Sequence, residues 1–190
     1  MSLIWAITIA SLSCPALCAG PFWQRSWEEL RWADVSRQTT QANCGPAALA
    51  TALHLAFSEN TKPEELYPED LPSSMAVLRD IAVSRGYTAV GLHITLANLK
   101  RFLHEQQMPA IVRILIPTPH FTTVTGAVAD RLLTRDPALG RVSWEEDDWL
   151  RIWPGQALLL SGEDPNSDTT DETALLDIMT LLMRRKDWKE

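Results

Sequence analysis

The chain has 190 residues, 46% hydrophobic and 22% charged, the proportions of a soluble globular domain with extensions. A formal net charge of -7, with no cation cluster before Arg184-Arg185-Lys186, excludes a nucleic acid held on a basic face. The four histidines are scattered and neither Cys-x-x-Cys nor His-Glu-x-x-His occurs, so no metal or other cofactor is expected.

Leu3 to Leu12 is an apolar run, too short for a confident membrane span, followed by the small residues around Cys14-Pro15-Ala16-Leu17-Cys18-Ala19-Gly20. Residues 1–19 therefore read as a cleaved export signal, although no Lys or Arg precedes the run. A signal anchor is one alternative, and a lipidation signal a weaker one. Removal of the signal leaves Cys44 as the one cysteine of three in an oxidising compartment. A lone thiol there is either a small buried hydrophobe or a reactive group.

Residues 20–36 form a Trp-rich arm. Phe22, Trp23, Trp27 and Leu30 fall near helical spacing, which predicts a helix packed on the domain. Gln38-Thr39-Thr40-Gln41-Ala42-Asn43-Cys44-Gly45-Pro46-Ala47-Ala48-Leu49 then reads as an extended segment turning into a helix, with Cys44 at the junction. Pro46 suits the first helical turn, and the small apolar residues to Phe57 suit a helix buried in a core. At that end of a helix the macrodipole favours thiolate, the nucleophilic form. The amide of Gln38, six residues earlier, is placed to face whatever Cys44 attacks.

Ser58 to Ser73 is a proline-containing loop with one helical turn at Glu64-Glu65-Leu66. Ser74 to Arg85 is a helix stopped at Gly86, and Tyr87 to Ile94 alternates as a strand. Thr95 caps a helix with Leu96, Leu99, Phe102 and Leu103 as its stripe, broken at Met108-Pro109. Ala110 to Ile116 is a central strand, and His120 to Val128 pairs with it after Pro117 and Pro119. Arg131 to Thr134 returns after a turn at Asp130, and Asp136-Pro137 ends that strand. Ser143-Trp144-Glu145-Glu146 matches a capping box, predicting a helix from Ser143 towards Ile152. Gln156 to Leu160 is a last strand. The sum is an α+β domain over residues 37–161, helices first and then an antiparallel sheet of hairpins. An acidic linker, 162–173, leads to a terminal amphipathic helix, 174–190, which either packs on the domain or meets a partner.

A cysteine nucleophile needs a base and a group that orients the base. His54 lies ten residues along the Cys44 helix, about 15 Å away at 1.5 Å per residue, which is too far. His93 falls on a strand and His104 on an exposed helical face, whereas His120 opens a sheet strand, where a rigid edge can hold it. Asp136 ends the neighbouring strand and is suited to orient the imidazole, with Asp130 as the competitor. Position alone leaves His120 one candidate of four, and leaves Asp136 as readily a simple turn residue.

Taken together, Gln38, Cys44-Gly45-Pro46-Ala47-Ala48-Leu49, Met108-Pro109-Ala110-Ile111-Val112, His120-Phe121-Thr122-Thr123-Val124-Thr125-Gly126, Asp136-Pro137-Ala138-Leu139-Gly140 and Trp153-Pro154-Gly155-Gln156-Ala157-Leu158-Leu159-Leu160 resemble the bacteriocin-processing, double-glycine leader peptidases. That family is papain-like and often forms the N-terminal domain of peptide-exporting ABC transporters. The resemblance implies Cys44 as nucleophile, His120 as general base and acid, Asp136 as orienting group, and Gln38 with the Cys44 backbone N–H as oxyanion donors. It implies cleavage after a Gly-Gly pair in a narrow cleft. No membrane domain or nucleotide-binding motif accompanies it here, so the chain reads as a stand-alone, exported member whose substrate need not be a double-glycine leader. Relatives of that kind accompany secretion or amyloid-fibre assembly systems.

The function expected is an exported, periplasmic cysteine endopeptidase that processes a secreted peptide or protein, with the C-terminal helix available to an assembly partner. A non-catalytic papain-like binding or chaperone module is the alternative, and acyl transfer to an amine a third reading. Thr122, Thr123 and Thr125, where relatives are more aliphatic, predict a polar neighbour for the His120 strand.

Overall fold

The computed structural model describes residues 25–67, 72–115, 118–162 and Thr180. In chain order these hold α1 (Trp27–Trp32), α2 (Cys44–Phe57), α3 (Pro63–Leu66), α4 (Met75–Ser84), β1 (Thr88–His93), α5 (Leu96–Glu105), β2 (Ala110–Ile114), β3 (His120–Val128), β4 (Arg131–Asp136), β5 (Gly140–Glu145), α6 (Glu146–Ile152) and β6 (Gln156–Ser161). The leader, the acidic linker and the terminal amphipathic helix predicted from sequence lie outside the described residues, apart from Thr180. No described helix is long and apolar enough to cross a membrane.

β2 and β6 read as near-continuous apolar runs because both faces of their sheet are covered. Successive residues point to opposite sides. Ile111, Leu158 and Leu160 therefore enter one core with Leu49, Leu53 and Leu78 from α2 and α4. Val112, Ala157 and Leu159 enter a second core with Leu99, Phe102, Trp149 and Trp153 on the other side. All pairings are antiparallel, in the order β1-β6-β2-β3-β4-β5. β2 to β4 form the hairpins expected, and β5, which was not expected as a strand, continues the meander. β6 does not extend it but inserts between β1 and β2, with Leu158 opposite both Gly91 and Ile111.

Helix ends follow their capping chemistry. Ser26, Ser74 and Thr95 each accept a backbone N–H three residues on, and Ser26 completes a capping box with Glu29. Two expectations are corrected. The helix expected from Ser143 begins at Glu146, and Ser143 instead lies in β5, its hydroxyl accepting from Arg131 Nε at 2.7 Å. β4 would otherwise expose an unpaired edge. Arg141-Val142-Ser143-Trp144-Glu145, with Val142 and Trp144 half-buried between exposed residues, supplies a strand to cover it. Of the arm, α1 forms a helix with no buried residue, Trp27 being 81% exposed, while Phe22 and Trp23 lie outside the described residues. It is held by polar ties described below.

Candidate active site

α2 is buried from Cys44 to Leu53, a helix apolar all round and placed inside the protein rather than on it. Gly45 sits where a Cβ would collide with the Ser73 hydroxyl and press on the Leu78 side chain at 3.3 Å, so the start of the nucleophile's helix packs tightly against the segment entering α4. Asn43 occupies the position before the helix but does not cap it. Its side chain turns back, accepting from Thr39 N at 3.1 Å and Thr40 N at 3.2 Å and donating to Thr39 Oγ1 at 2.8 Å. The first N–H groups of α2, which have no partner within a helix, are thereby left to the site. One of them, Gly45 N–H, hydrogen-bonds the Cys44 sulfur.

His120 opens β3, and β3 is pinned to α2 three residues later. Thr123 Oγ1, fully buried, donates to Ala48 O at 2.9 Å. The polar neighbour expected for this strand is thus a carbonyl of the cysteine's own helix, with Arg135 O and Leu133 O serving Thr122 and Thr125. Asp136 closes β4 on the adjacent strand. Its Oδ1 accepts from Ala138 N at 2.8 Å and Leu139 N at 3.0 Å, a local turn that fixes the carboxylate.

His120 Nε2 lies 3.1 and 3.0 Å from the two oxygens of Asp136, which is 1% exposed. Nε2 is committed to the carboxylate, and the imidazole also hydrogen-bonds Cys44, for which Nδ1 is the nitrogen left. Burial pulls the imidazole pKa down, but hydrogen bonds to Asp136 and Cys44 and their negative charge outweigh it, raising it to about 9. Burial pushes the Cys44 thiol up, yet His120, the backbone N–H groups of Phe121 and Gly45, and the imidazolium charge bring it below its usual value. Both shifts favour the charged forms, thiolate for Cys44 and imidazolium for His120.

His120 and Asp136 line a cleft of about 420 Å³ together with Gln38, Gln41, Ile114, Leu139 and Trp144, among others. Gln38 is fastened by its backbone N–H to Pro137 O at 3.0 Å, and its Oε1 is buried without a partner among the described residues. Cys44, His120, Asp136 and Gln38, all four candidates, are therefore brought to one place. His54 lies on α2 in another cavity beside Glu59 and Lys62, His93 packs by Gly155, and His104 is exposed. Asp130 stays in its turn, its carbonyl accepting from Glu146 N at 2.9 Å. Among the described residues no three or more His, Cys, Asp or Glu converge as a metal site would require. Sequence reasoning missed Asn43 and the Phe121 N–H. The first carried a weak signal, an Asn directly before the nucleophile; a backbone donor carries none.

The sequence profile described as "Peptidase C39 family" matches residues 32–164, which span the whole site. The chain belongs to the C39 peptidase family. It is 28% identical over 169 residues to the "Probable functional amyloid protease FapD" of Pseudomonas aeruginosa, covering 81% of this chain and 73% of that one. The peptidase domain of Streptococcus ComA, titled a bi-functional ABC transporter involved in a quorum sensing pathway, superposes with a TM-score of 0.60 at 18% identity, covering 68% and 98%. A double glycine motif protease from an AMS/PCAT transporter, in complex with its leader peptide, superposes with a TM-score of 0.59 at 22% identity, covering 68% and 91%. The fold is thus that of the papain-like C39 domains, and the chain is a cysteine peptidase.

Proposed function

We propose that this C39 peptidase is exported and cuts a secreted peptide or protein through an acyl-enzyme on Cys44. The observation that carries the reading is the serial contact of Cys44, His120 and Asp136. The Cys44 thiolate attacks the scissile carbonyl, and the oxyanion is met by the Gln38 amide and the Cys44 backbone N–H. His120 gives its proton to the leaving amine, then takes one from water as the thioester is hydrolysed and sulfur returns to thiolate. Asp136 keeps the imidazole oriented throughout.

For substrate, the name of the Pseudomonas relative favours a subunit or accessory protein of an extracellular fibre. The leader-bound transporter protease favours a peptide cut after small residues. The apolar walls from Ile114, Leu139 and Trp144 suit an extended chain with apolar side chains. Export rests on the leader-like residues 1–19. The mature protein should begin near Gly20, and an intact Met1 on the functional protein would remove export from the reading.

The decisive experiment compares the protein with its Cys44→Ala variant on a peptide library varied at the two residues before the cut. Turnover should fall on the order of 10⁴-fold or more while the fold persists by circular dichroism. Equal cleavage by both would end the proposal, and the residues preferred before the cut decide whether Gly-Gly selectivity is retained.

A further inference from the structure

Ala33–Gln38 runs between the two halves of the site and is fastened to each. On the nucleophile's side, buried Thr51 of α2 accepts from Ser36 N at 3.0 Å and donates its own proton to Ala47 O at 2.9 Å. On the carboxylate's side, Arg135 Nη1 and Arg141 Nε converge on Ala33 O at 2.8 and 3.0 Å, and both hold Asp34, Arg141 at 2.7 Å. At its end Gln38 N–H reaches Pro137 O.

The preceding helix grips the same turn from outside. Arg31 Nε donates to Leu139 O at 2.7 Å. Gly140 follows with φ +81°, and a Cβ there would stand 2.6 Å from Arg31 O, so only glycine lets α1 sit this close. The turn held by residues 31 and 38 is the one whose N–H groups at Ala138 and Leu139 aim the Asp136 carboxylate.

We propose that Arg31, Asp34 and Arg141 are positioning residues, which make the N-terminal arm a tie that sets Asp136 against His120 and Gln38 against Cys44. The inference rests on the peptidase reading above. α1 buries no residue, so apolar packing does not account for its seat. The pairs to Asp34 are partly exposed and contribute little energy by themselves. What they fix is position, and a shift of about 1 Å at a catalytic group costs on the order of 100-fold in rate.

The test uses the full chain and needs no substrate. Arg31→Ala, Arg141→Ala and Arg31→Lys are compared with the parent protein for iodoacetamide labelling of Cys44 against pH, for amide exchange at Ala138 and Leu139, and for Tm. In the parent, labelling should show a lower inflection where the thiol ionises and an upper one near pH 9 where His120 loses its proton. In both alanine variants the inflections should draw together, labelling at pH 7 should slow about 10-fold, and the two amides should exchange faster. Arg31→Lys should restore part of each change. Unaltered inflections and amide protection, with only Tm lowered, would reduce the arm to packing and overturn the proposal. A parent thiol that titrates like a free cysteine would defeat the peptidase reading instead. The tie would then be judged on the amides, where unchanged protection rejects it and faster exchange retains it.

Discussion

Asp136 spends its two oxygens on three donors: the N–H groups of Ala138 and Leu139 and the imidazole of His120. That saturation keeps a buried carboxylate in one rotamer, and a fixed carboxylate is what lets His120 carry a proton beside sulfur. Gln38 belongs to the other half of the chemistry, since it touches neither His120 nor Asp136 by a described hydrogen bond but lines the same cleft. Gln38→Ala should lower kcat on the order of 10²- to 10³-fold, as loss of one oxyanion donor does, with KM little changed. Steady-state kinetics on any cleaved peptide checks it, and a rise in KM alone would assign Gln38 to substrate binding. At this scale the sequence exposed the nucleophile by its helix junction. It did not single out His120 from four histidines; the resemblance did. Asn43 escaped because its residue type predicts a helix cap, whereas its side chain serves the loop behind it.

Among the elements, β3 is the one whose position matters most, because it carries the base and touches the nucleophile's helix. Thr123 Oγ1 to Ala48 O is a fully buried link between them. Thr123→Val keeps the shape and removes that bond, and should cost about 1 kcal/mol, read as a lowered urea midpoint at constant m-value. A midpoint unchanged or raised would show that apolar packing there outweighs the hydrogen bond. Most elements were legible because propensity, capping and periodicity agreed, as at Ser74 before α4 and Thr95 before α5. β5 was misread because Ser143-x-x-Glu146 satisfies a local rule for a helix start, while the neighbouring strand's need for a partner is a non-local fact. Its alternation from Arg141 to Glu145 was the competing signal. At Trp27 and Leu30 the spacing predicted burial, but both stay exposed, and α1 is seated instead by the polar tie from Arg31.

For the molecule as a whole, the thiolate–imidazolium pair sets a distinctive dependence of stability on pH. His120 has its pKa raised from 6.5 to about 9, so its contribution is complete below pH 6.5 and fades as pH climbs through 9. Cys44 is lowered from 9.0, so its contribution is complete above pH 9 and fades as pH drops through its folded value. Where the pH lies above both 6.5 and the folded value of Cys44 but below 9, the folded pair and the unfolded chain each hold one proton, and the slopes cancel. Urea midpoints should therefore carry no slope from this pair in that window. Cys44→Ala, which leaves His120 raised by Asp136 alone, should instead lose stability above pH 6.5 relative to the parent. A difference between the two proteins that is independent of pH would refute the ion pair.

β6 is the last described strand in the chain yet occupies the interior of the sheet, hydrogen-bonded to β1 on one side and β2 on the other. A ribosome or translocon releasing this polypeptide has already delivered Cys44, His120 and Asp136 before it delivers the residues that join their supports. Loop closure on that scale is slow relative to local helix formation. Among the described strands, the one that fills the gap between β1 and β2 is therefore the last to emerge, and the sheet is completed only after every other described strand is available.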